Sequence, residues 1–334
     1  MNFKPFYANF YIVNTIYTIF FIVYIVFTTI KNTIFYTIIF TILFIVCTTN
    51  ITIVAIFYIV FYIVSTTYVV NRVGKMKTIA VSIEKGGNGK TTISMSLAAE
   101  LAKNHKVILV DADPQGNSSS TLINDLKYEL ADVLTGKCYP KEAIVQTSVE
   151  NLFILPTAGL TDVESGLRDY RERNAAREPN VFEELCEEFI NMGFEYCIFD
   201  TSPAFAAFEE NIYQATDEII AVIKPDQYSQ DGLETFKNNL TSFYRRKMKK
   251  QIKPELKTVV MNDVNRSHKM TKDLLKLLGM QNTYKIVTVP TDQNFRKAQM
   301  EKKTIQQFYA QKNNREKKAT LEAITQIANI VEGK

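Results

Sequence analysis

Apolar residues are distributed in two unlike ways along this chain, and the change falls near Met76. Before it they run almost continuously. Phe10 to Ile30 and Ile51 to Val70 each approach the roughly 20 residues that span a bilayer, with a third stretch, Thr33 to Cys47, between them. After Met76, short apolar runs alternate with segments of helical periodicity, which predicts a parallel sheet covered on both faces. The expected strands are Thr78–Ile83, Val107–Val110, Leu152–Leu155, Tyr196–Phe199, Glu218–Ile223, Thr258–Met261 and Lys285–Val289. The expected helices include Ser94–Lys103, Val181–Asn191, Gly232–Lys247, Lys269–Leu278 and Ala319–Val331. Gly, Pro, Asn or Asp punctuates these segments. Without an internal repeat or an evident linker, residues 76–334 read as one doubly wound, mostly parallel α/β domain with helices on both faces.

Composition sharpens the boundary. Residues 1–75 contain no Asp or Glu, and their only basic residues are Lys4, Lys31, Arg72 and Lys75. The chain has 39 Lys+Arg; less these four, 35 remain to balance 35 Asp+Glu, so the formal +4 belongs wholly to the N-terminal segment. Any polyanion contact by the rest must come from local clusters. The literal reading of residues 1–75 is a membrane anchor. Yet Leu43 is their only Leu and Gly74 their only Gly, and the repeats of Phe, Ile, Tyr and Thr look compositional. The preferred expectation is a start at Met76, preceded by translated AT-rich upstream sequence. A secretory signal fits poorly, because the apolar material far outruns a 7–15-residue core. Cys47, Cys138, Cys186 and Cys197 form no C-x-x-C pair and lie far from His105 and His268, so idle or buried thiols are expected rather than zinc or an iron–sulfur cluster.

The strongest chemical signal is Glu84-Lys85-Gly86-Gly87-Asn88-Gly89-Lys90-Thr91-Thr92, between the first strand and the first helix. Glycines let successive backbone N–H groups curl around phosphate oxygens, and a helix N-terminus adds partial positive charge. Lys90 would reach the β- and γ-phosphates of ATP, and the Thr91 hydroxyl would ligate Mg²⁺. The general phosphate-loop pattern requires Gly where this chain has Glu84. Two acidic stretches follow. Val110-Asp111-Ala112-Asp113-Pro114-Gln115-Gly116-Asn117 ends one strand, and Phe194-Glu195-Tyr196-Cys197-Ile198-Phe199-Asp200-Thr201-Ser202-Pro203 ends another. The carboxyl ends of parallel strands are where this architecture places its ligands.

These motifs resemble the ParA/MinD superfamily of deviant Walker A ATPases. The early Lys85 is the signature, Asp111 to Asn117 looks like the D-x-D-P-Q-G-N motif, and Tyr196 to Pro203 resembles Walker B, with Ser202 replacing the usual first proline of D-x-P-P. The resemblance spans residues 76–334, being closest in the first two motifs and loosest after the third. It implies that Lys85 reaches the partner subunit's phosphates, that Asp113 orients the attacking water, and that Asp111 lies near the Mg²⁺ shell. Asp200 would hold the metal through water. The stretches Ile223 to Tyr228 and Asp231-Gly232-Leu233 would lie at the dimer and nucleotide edge. Asn262 and Pro290 stand where family members contact adenine.

Several relatives fit less well. MinD-like proteins end in a basic amphipathic membrane helix, whereas Ala319–Val331 carries Glu322 and no Lys or Arg. Nitrogenase iron-protein relatives need cluster cysteines. Bacterial tyrosine kinases carry a C-terminal tyrosine cluster, but the last tyrosine here is Tyr309. Cobyrinic-acid and dethiobiotin synthetase relatives stay open as alternatives, but the D-x-D-P-Q-G-N match favours ParA. The expectation is a ParA-like partitioning ATPase without a helix-turn-helix, cytoplasmic and nucleoid-associated. It would form an ATP-bound homodimer that binds DNA through phosphates, with hydrolysis stimulated by a ParB-like partner. Candidate DNA contacts are Arg245, Arg246, Lys247, Lys249 and Lys250, with Arg296, Lys297, Lys302 and Lys303; Thr241 stands nearest the family's DNA-binding arginine. A membrane-tethered regulatory ATPase or tyrosine-kinase-like protein is the alternative if residues 1–75 are translated.

Overall fold

The computed structural model describes residues 76–159, 166–247, 254–281, 283–311 and 315–334. Residues 1–75, and with them the anchor and start-site expectations, lie outside the described residues, as do Lys249 and Lys250.

An eight-stranded sheet organises these residues, in the order β3-β4-β2-β5-β1-β6-β7-β8. Its strands are β1 Lys77–Ser82, β2 Val107–Ala112, β3 Val145–Gln146, β4 Leu152–Leu155, β5 Tyr196–Thr201, β6 Glu218–Ile223, β7 Glu255–Val264 and β8 Lys285–Pro290. Every pairing is parallel except β3 with β4. The seven expected strands all form, and β7 runs well beyond Thr258–Met261 at both ends. The short edge strand β3 has no apolar alternation to announce it. Its two residues are held antiparallel to β4, with Val145 opposite Ile154 and Gln146 opposite Phe153.

Alternation along the central strands explains the two layers. Ile79 and Val81 of β1, with Ile220 and Val222 of β6, face one layer; Ala80, Ile219, Ala221 and Ile223 face the other. A strand apolar on both faces stays ordered only when both are covered. Helix α1 (Lys90–Leu101) contributes Ile93, Leu97 and Leu101 to the first layer. Between β2 and β4 the chain forms α2 (Asn117–Leu122), α3 (Leu130–Leu134) and α4 (Pro140–Ala143). The second layer takes α5 (Gly166–Arg173), α6 (Val181–Asn191), α7 (Ala207–Gln214), α8 (Ser229–Lys247) and α9 (Lys269–Gln281). Its centre is aromatic. Phe182 packs edge-on against Phe199 and Phe208, and Tyr213 does so against Phe236. Such contacts add about 0.5–1.5 kcal/mol each beyond area burial.

The C-terminal region holds α10 (Asn294–Met300), α11 (Ile305–Ala310) and α12 (Arg315–Glu332). The last helix corrects the sequence reading, since it starts four residues before Ala319 and gains Arg315, Lys317 and Lys318. Its apolar side is nonetheless occupied. Ile327, Ala328 and Val331 are buried in the layer that holds α1, and Ile324 beneath α10 and α11. Among the described residues, no helix is long and apolar enough to cross a membrane. Cys186 and Cys197 are buried free thiols, and Cys138 is a half-buried one.

Among its polar ties, one joins this end to the segments that enter β2 and β5. His105 Nδ1 lies 2.9 Å from Glu195 Oε2 and its Nε2 lies 2.8 Å from Glu332 Oε1. Both ring nitrogens can donate to carboxylates only in the imidazolium form. Burial opposes that charge, but the two carboxylates outweigh it and raise the histidine pKa above 6.5. A raised histidine pKa stabilises the fold fully below the unfolded value, and the contribution is lost as pH rises through the folded value. His105→Gln should therefore cost about 1 kcal/mol at pH 6 and clearly less at pH 8.5, as read by denaturant melts at both pH values. An equal cost at the two pH values would show that the ring acts by packing alone.

Candidate nucleotide-binding site

The cleft of interest opens at the carboxyl ends of β1, β2 and β5 and has a volume of about 870 Å³. Its floor is the loop from β1 to α1. Gly87 and Gly89 have φ of 75° and 92°, a left-handed backbone that glycine adopts without strain. At Gly89 the need is also steric, because an added Cβ would lie 2.2 Å from Asn262 Nδ2. The next residue opens α1, so this helix starts at Lys90 rather than at Ser94, and its first residues, Lys90 and Thr91, line the cleft. Gly86, Gly87, Gly89, Lys90 and Thr91 line the space.

Three residues of the motif turn away and anchor it. Asn88 Nδ2 donates to Val222 O at 3.1 Å, and Asn88 O accepts from Asn262 Nδ2 at 2.9 Å. Thr92 Oγ1 accepts from Gln299 on α10. Glu84, where the general pattern has glycine, accepts from Asn239 of α8 at 2.7 Å. This departure thus ties the loop to the opposite layer. Asn262 sits against the loop backbone, and neither it nor Pro290 lines this cleft.

Lys90 is 7% exposed, and its Nζ donates to the carbonyls of Ile83 and Lys85. Burial lowers its pKa, against the pull of Asp200, Asp113 and Glu209. Lys85 stands differently. Its ammonium pairs with Asp226 on the half-exposed rim and lies 5.7 Å from the Tyr228 ring, and it does not line the cleft.

Parallel register brings the acids together. Asp111 of β2 is opposite Asp200 of β5, which is also opposite Val81 of β1. Both carboxylates are fully buried, and burial raises both pKa values, with their mutual repulsion adding to the rise in Asp111. Asp200 accepts from Ser94 and Ser118, and from Thr91, which already lines the cleft. Asp111 accepts from Ser119 through N at 2.8 Å and Oγ at 2.6 Å, and lies behind the cleft wall. Asp113 lines the cleft itself, with Pro114, Gln115 and Asn117. Its Oδ1 accepts from Gln115 N, and Gly116, at φ 62°, makes the turn. An added Cβ there would lie 2.7 Å from Thr157 O.

The opposite wall was not foreseen. Arg168, Arg171 and Glu172 of α5, with Ser202, Pro203, Ala206 and Phe208, complete the cleft. No motif marks α5; only its charged sequence, Arg168-Asp169-Tyr170-Arg171-Glu172-Arg173, could have drawn attention to it. The basic candidates lie elsewhere. Arg246 is paired with Glu210, Lys303 with Glu301, and Lys302 donates to Asn124, whereas Arg245, Arg296 and Lys297 form no ion pair among the described residues.

Comparison with known proteins bears on this geometry. An AAA domain family model matches residues 76–257, more than half of the chain. An uncharacterized protein of Borreliella burgdorferi, BBD21, is 34% identical over 247 residues, covering 70% of this chain and 93% of its own. The virulence plasmid ParA family protein pGP5-D of Chlamydia psittaci is 31% identical over 48% of this chain, which spans 62% of that relative's length. Among solved structures, the plasmid partition protein BB_S35 of Borrelia burgdorferi B31, bound to AMPPNP, superposes with a TM-score of 0.63 at 20% identity. That match covers 78% of this chain and all of the other.

Proposed function

The chain belongs to the ParA/MinD superfamily of P-loop ATPases, and from that premise we propose that it is a DNA-partitioning ATPase. It binds Mg·ATP in the cleft above Lys90, closes as a two-subunit sandwich around the nucleotide, and then binds DNA without sequence preference. Hydrolysis, stimulated by a ParB-like partner, releases the DNA. The protein acts in the cytoplasm on the nucleoid.

The observation that carries this reading is the division of labour between two lysines. Lys90 is buried among carboxylates inside the cleft, whereas Lys85 stands on its rim with its ammonium outside. A rim lysine is free to meet a second subunit's phosphates, as a cationic finger does in trans. Its pairing with Asp226 is a slight restraint, because ion pairs this exposed contribute about 0–1 kcal/mol.

The oxygen ligands suit a hard divalent cation. Thr91 Oγ1 would hold Mg²⁺ directly and Asp200 would hold it through water, with Asp111 behind them supporting the charge balance. Burial raises the Asp200 pKa, and a cation facing it would favour the charged carboxylate that burial disfavours. A cation held there would offset the negative charge that builds up as the phosphoryl group transfers. Loop N–H groups and Lys90 bind the phosphates, and Asp113 orients the attacking water.

Light scattering tests the sandwich. The full chain should be monomeric with Mg·ADP and dimeric with Mg·ATPγS. A monomer in both states would remove the sandwich from the account and favour a regulatory or biosynthetic ATPase.

A further inference from the structure

The cleft has one wall without a role so far, α5. Residues three apart share a helix face, so Arg168 and Arg171 present their guanidinium groups to the same side. Both line the cleft with Lys90, and its other charges are Asp113 and Glu172. Their circumstances differ.

Arg171 is committed. It is 15% exposed, its Nη2 donates to Glu209 Oε1 at 2.6 Å, and its guanidinium carbon lies 5.0 Å from the Phe208 ring centre. Glu209 is fully buried on α7. Its Oε1 also accepts from Ser202 Oγ at 2.7 Å, and its Oε2 from Ala206 N at 3.3 Å. Ser202 stands two residues beyond Asp200, so this network joins α5 to the turn after β5. The proline that the resemblance expects at 202 has no hydroxyl to donate; serine completes the network.

Arg168 is uncommitted. It is exposed and forms no ion pair among the described residues. The phosphate loop, Asp113 and α5 line the same cleft, so a triphosphate seated on Gly86 to Thr91 would have this wall within the space it fills. A guanidinium suits that position, because its fork of donors makes charge-assisted bonds to phosphate oxygens.

We propose that Arg168 contacts the terminal phosphate of a nucleoside triphosphate bound in its own subunit, and that Arg171, Glu209 and Ser202 are positioning residues that hold α5 for that contact. The proposal rests on the nucleotide reading above. It makes α5 the element that tells ATP from ADP before any second subunit arrives.

Calorimetric titration of the full chain with Mg·ATPγS and with Mg·ADP tests it. Arg168→Gln should weaken ATPγS about tenfold and leave ADP within about twofold, the loss of one charge-assisted contact. Arg168→Lys should recover part of the loss. Ser202→Pro should weaken ATPγS about threefold in the wild-type background and hardly at all beside Arg168→Gln, a dependence that general destabilisation would not produce. Unchanged affinity in Arg168→Gln, or equal losses for both nucleotides, would overturn the proposal. So would a loss of dimer with unchanged titrations, which would move Arg168 to the subunit interface. Failure of the wild-type chain to bind either nucleotide would strike the underlying nucleotide reading instead, and the proposal with it.

Discussion

Lys90→Ala should weaken ATP binding about 100-fold or more, while Asp113→Ala should bind ATP nearly as wild type and lose about 10²–10⁴ in turnover. The first expectation follows from burial. Lys90 is a desolvated ammonium set among Asp200, Asp113 and Glu209, and its removal leaves that negative charge facing the triphosphate. Truncating one partner of a buried charge pair costs about 2–5 kcal/mol, which is tenfold for each 1.4 kcal/mol. The second follows from placement. Asp113 lines the cleft at the end of β2 without gripping the phosphate loop, so in the proposed mechanism its loss would remove a water-orienting group, worth about 10²–10⁴ in rate. Filter binding and single-turnover hydrolysis separate the two effects. Equal losses of nucleotide affinity in both variants would remove Asp113 from its role.

Lys85→Ala should leave a subunit that binds ATP within about threefold of wild type yet stays monomeric, with turnover reduced at least about 100-fold. The ammonium lies outside its own cleft, so binding in cis has little to lose. In the proposed sandwich, turnover would depend on a charge supplied across the interface, and trans-acting cations of this kind contribute about 10³–10⁵ in rate. A normal ATP-dependent dimer with normal hydrolysis would make Lys85 an ordinary loop residue.

The sheet and the floor of the cleft were legible in the sequence for one physical reason. Strands buried on both faces must be nearly continuous apolar runs, and a loop that wraps phosphate with its backbone must be glycine-rich between a strand and a helix. Both constraints act locally, so Ile79 to Val81 and Gly86 to Thr91 declare themselves. The acids were legible as residues ending apolar runs, but their different surroundings were not. Asp111 and Asp200 lie in register on adjacent strands 89 positions apart, and only folding sets one behind the wall and the other beside Thr91.

The rest was hidden because it depends on pairing between distant segments. Glu84 reads as a lapse in a motif until Asn239 is seen to bond it. Ser202 reads as a mild departure until Glu209 and Arg171 are placed beside it. Asn262 follows the expected strand Thr258–Met261 in the sequence, but in the fold it lies within β7 and its amide supports the carbonyl of Asn88. The start of α12 was missed because its first turn, Arg315 to Lys318, is charged and lacks apolar periodicity.

The DNA step is the furthest from local sequence, since net charge is balanced from Met76 onward and Arg246 is already paired with Glu210. On the proposed reading, affinity would come from cations such as Arg245, Arg296 and Lys297, which form no ion pair among the described residues.

Fluorescence anisotropy of an arbitrary labelled duplex, titrated with the full chain under Mg·ATPγS, Mg·ADP and no nucleotide, tests the partitioning account most directly. The account predicts binding with ATPγS only, equal for unrelated sequences, and falling with salt at a log–log slope of roughly 0.9 per neutralised phosphate. A chain that dimerises with ATPγS yet shows no salt-sensitive affinity for any duplex, or binds equally in all three nucleotide states, would contradict it.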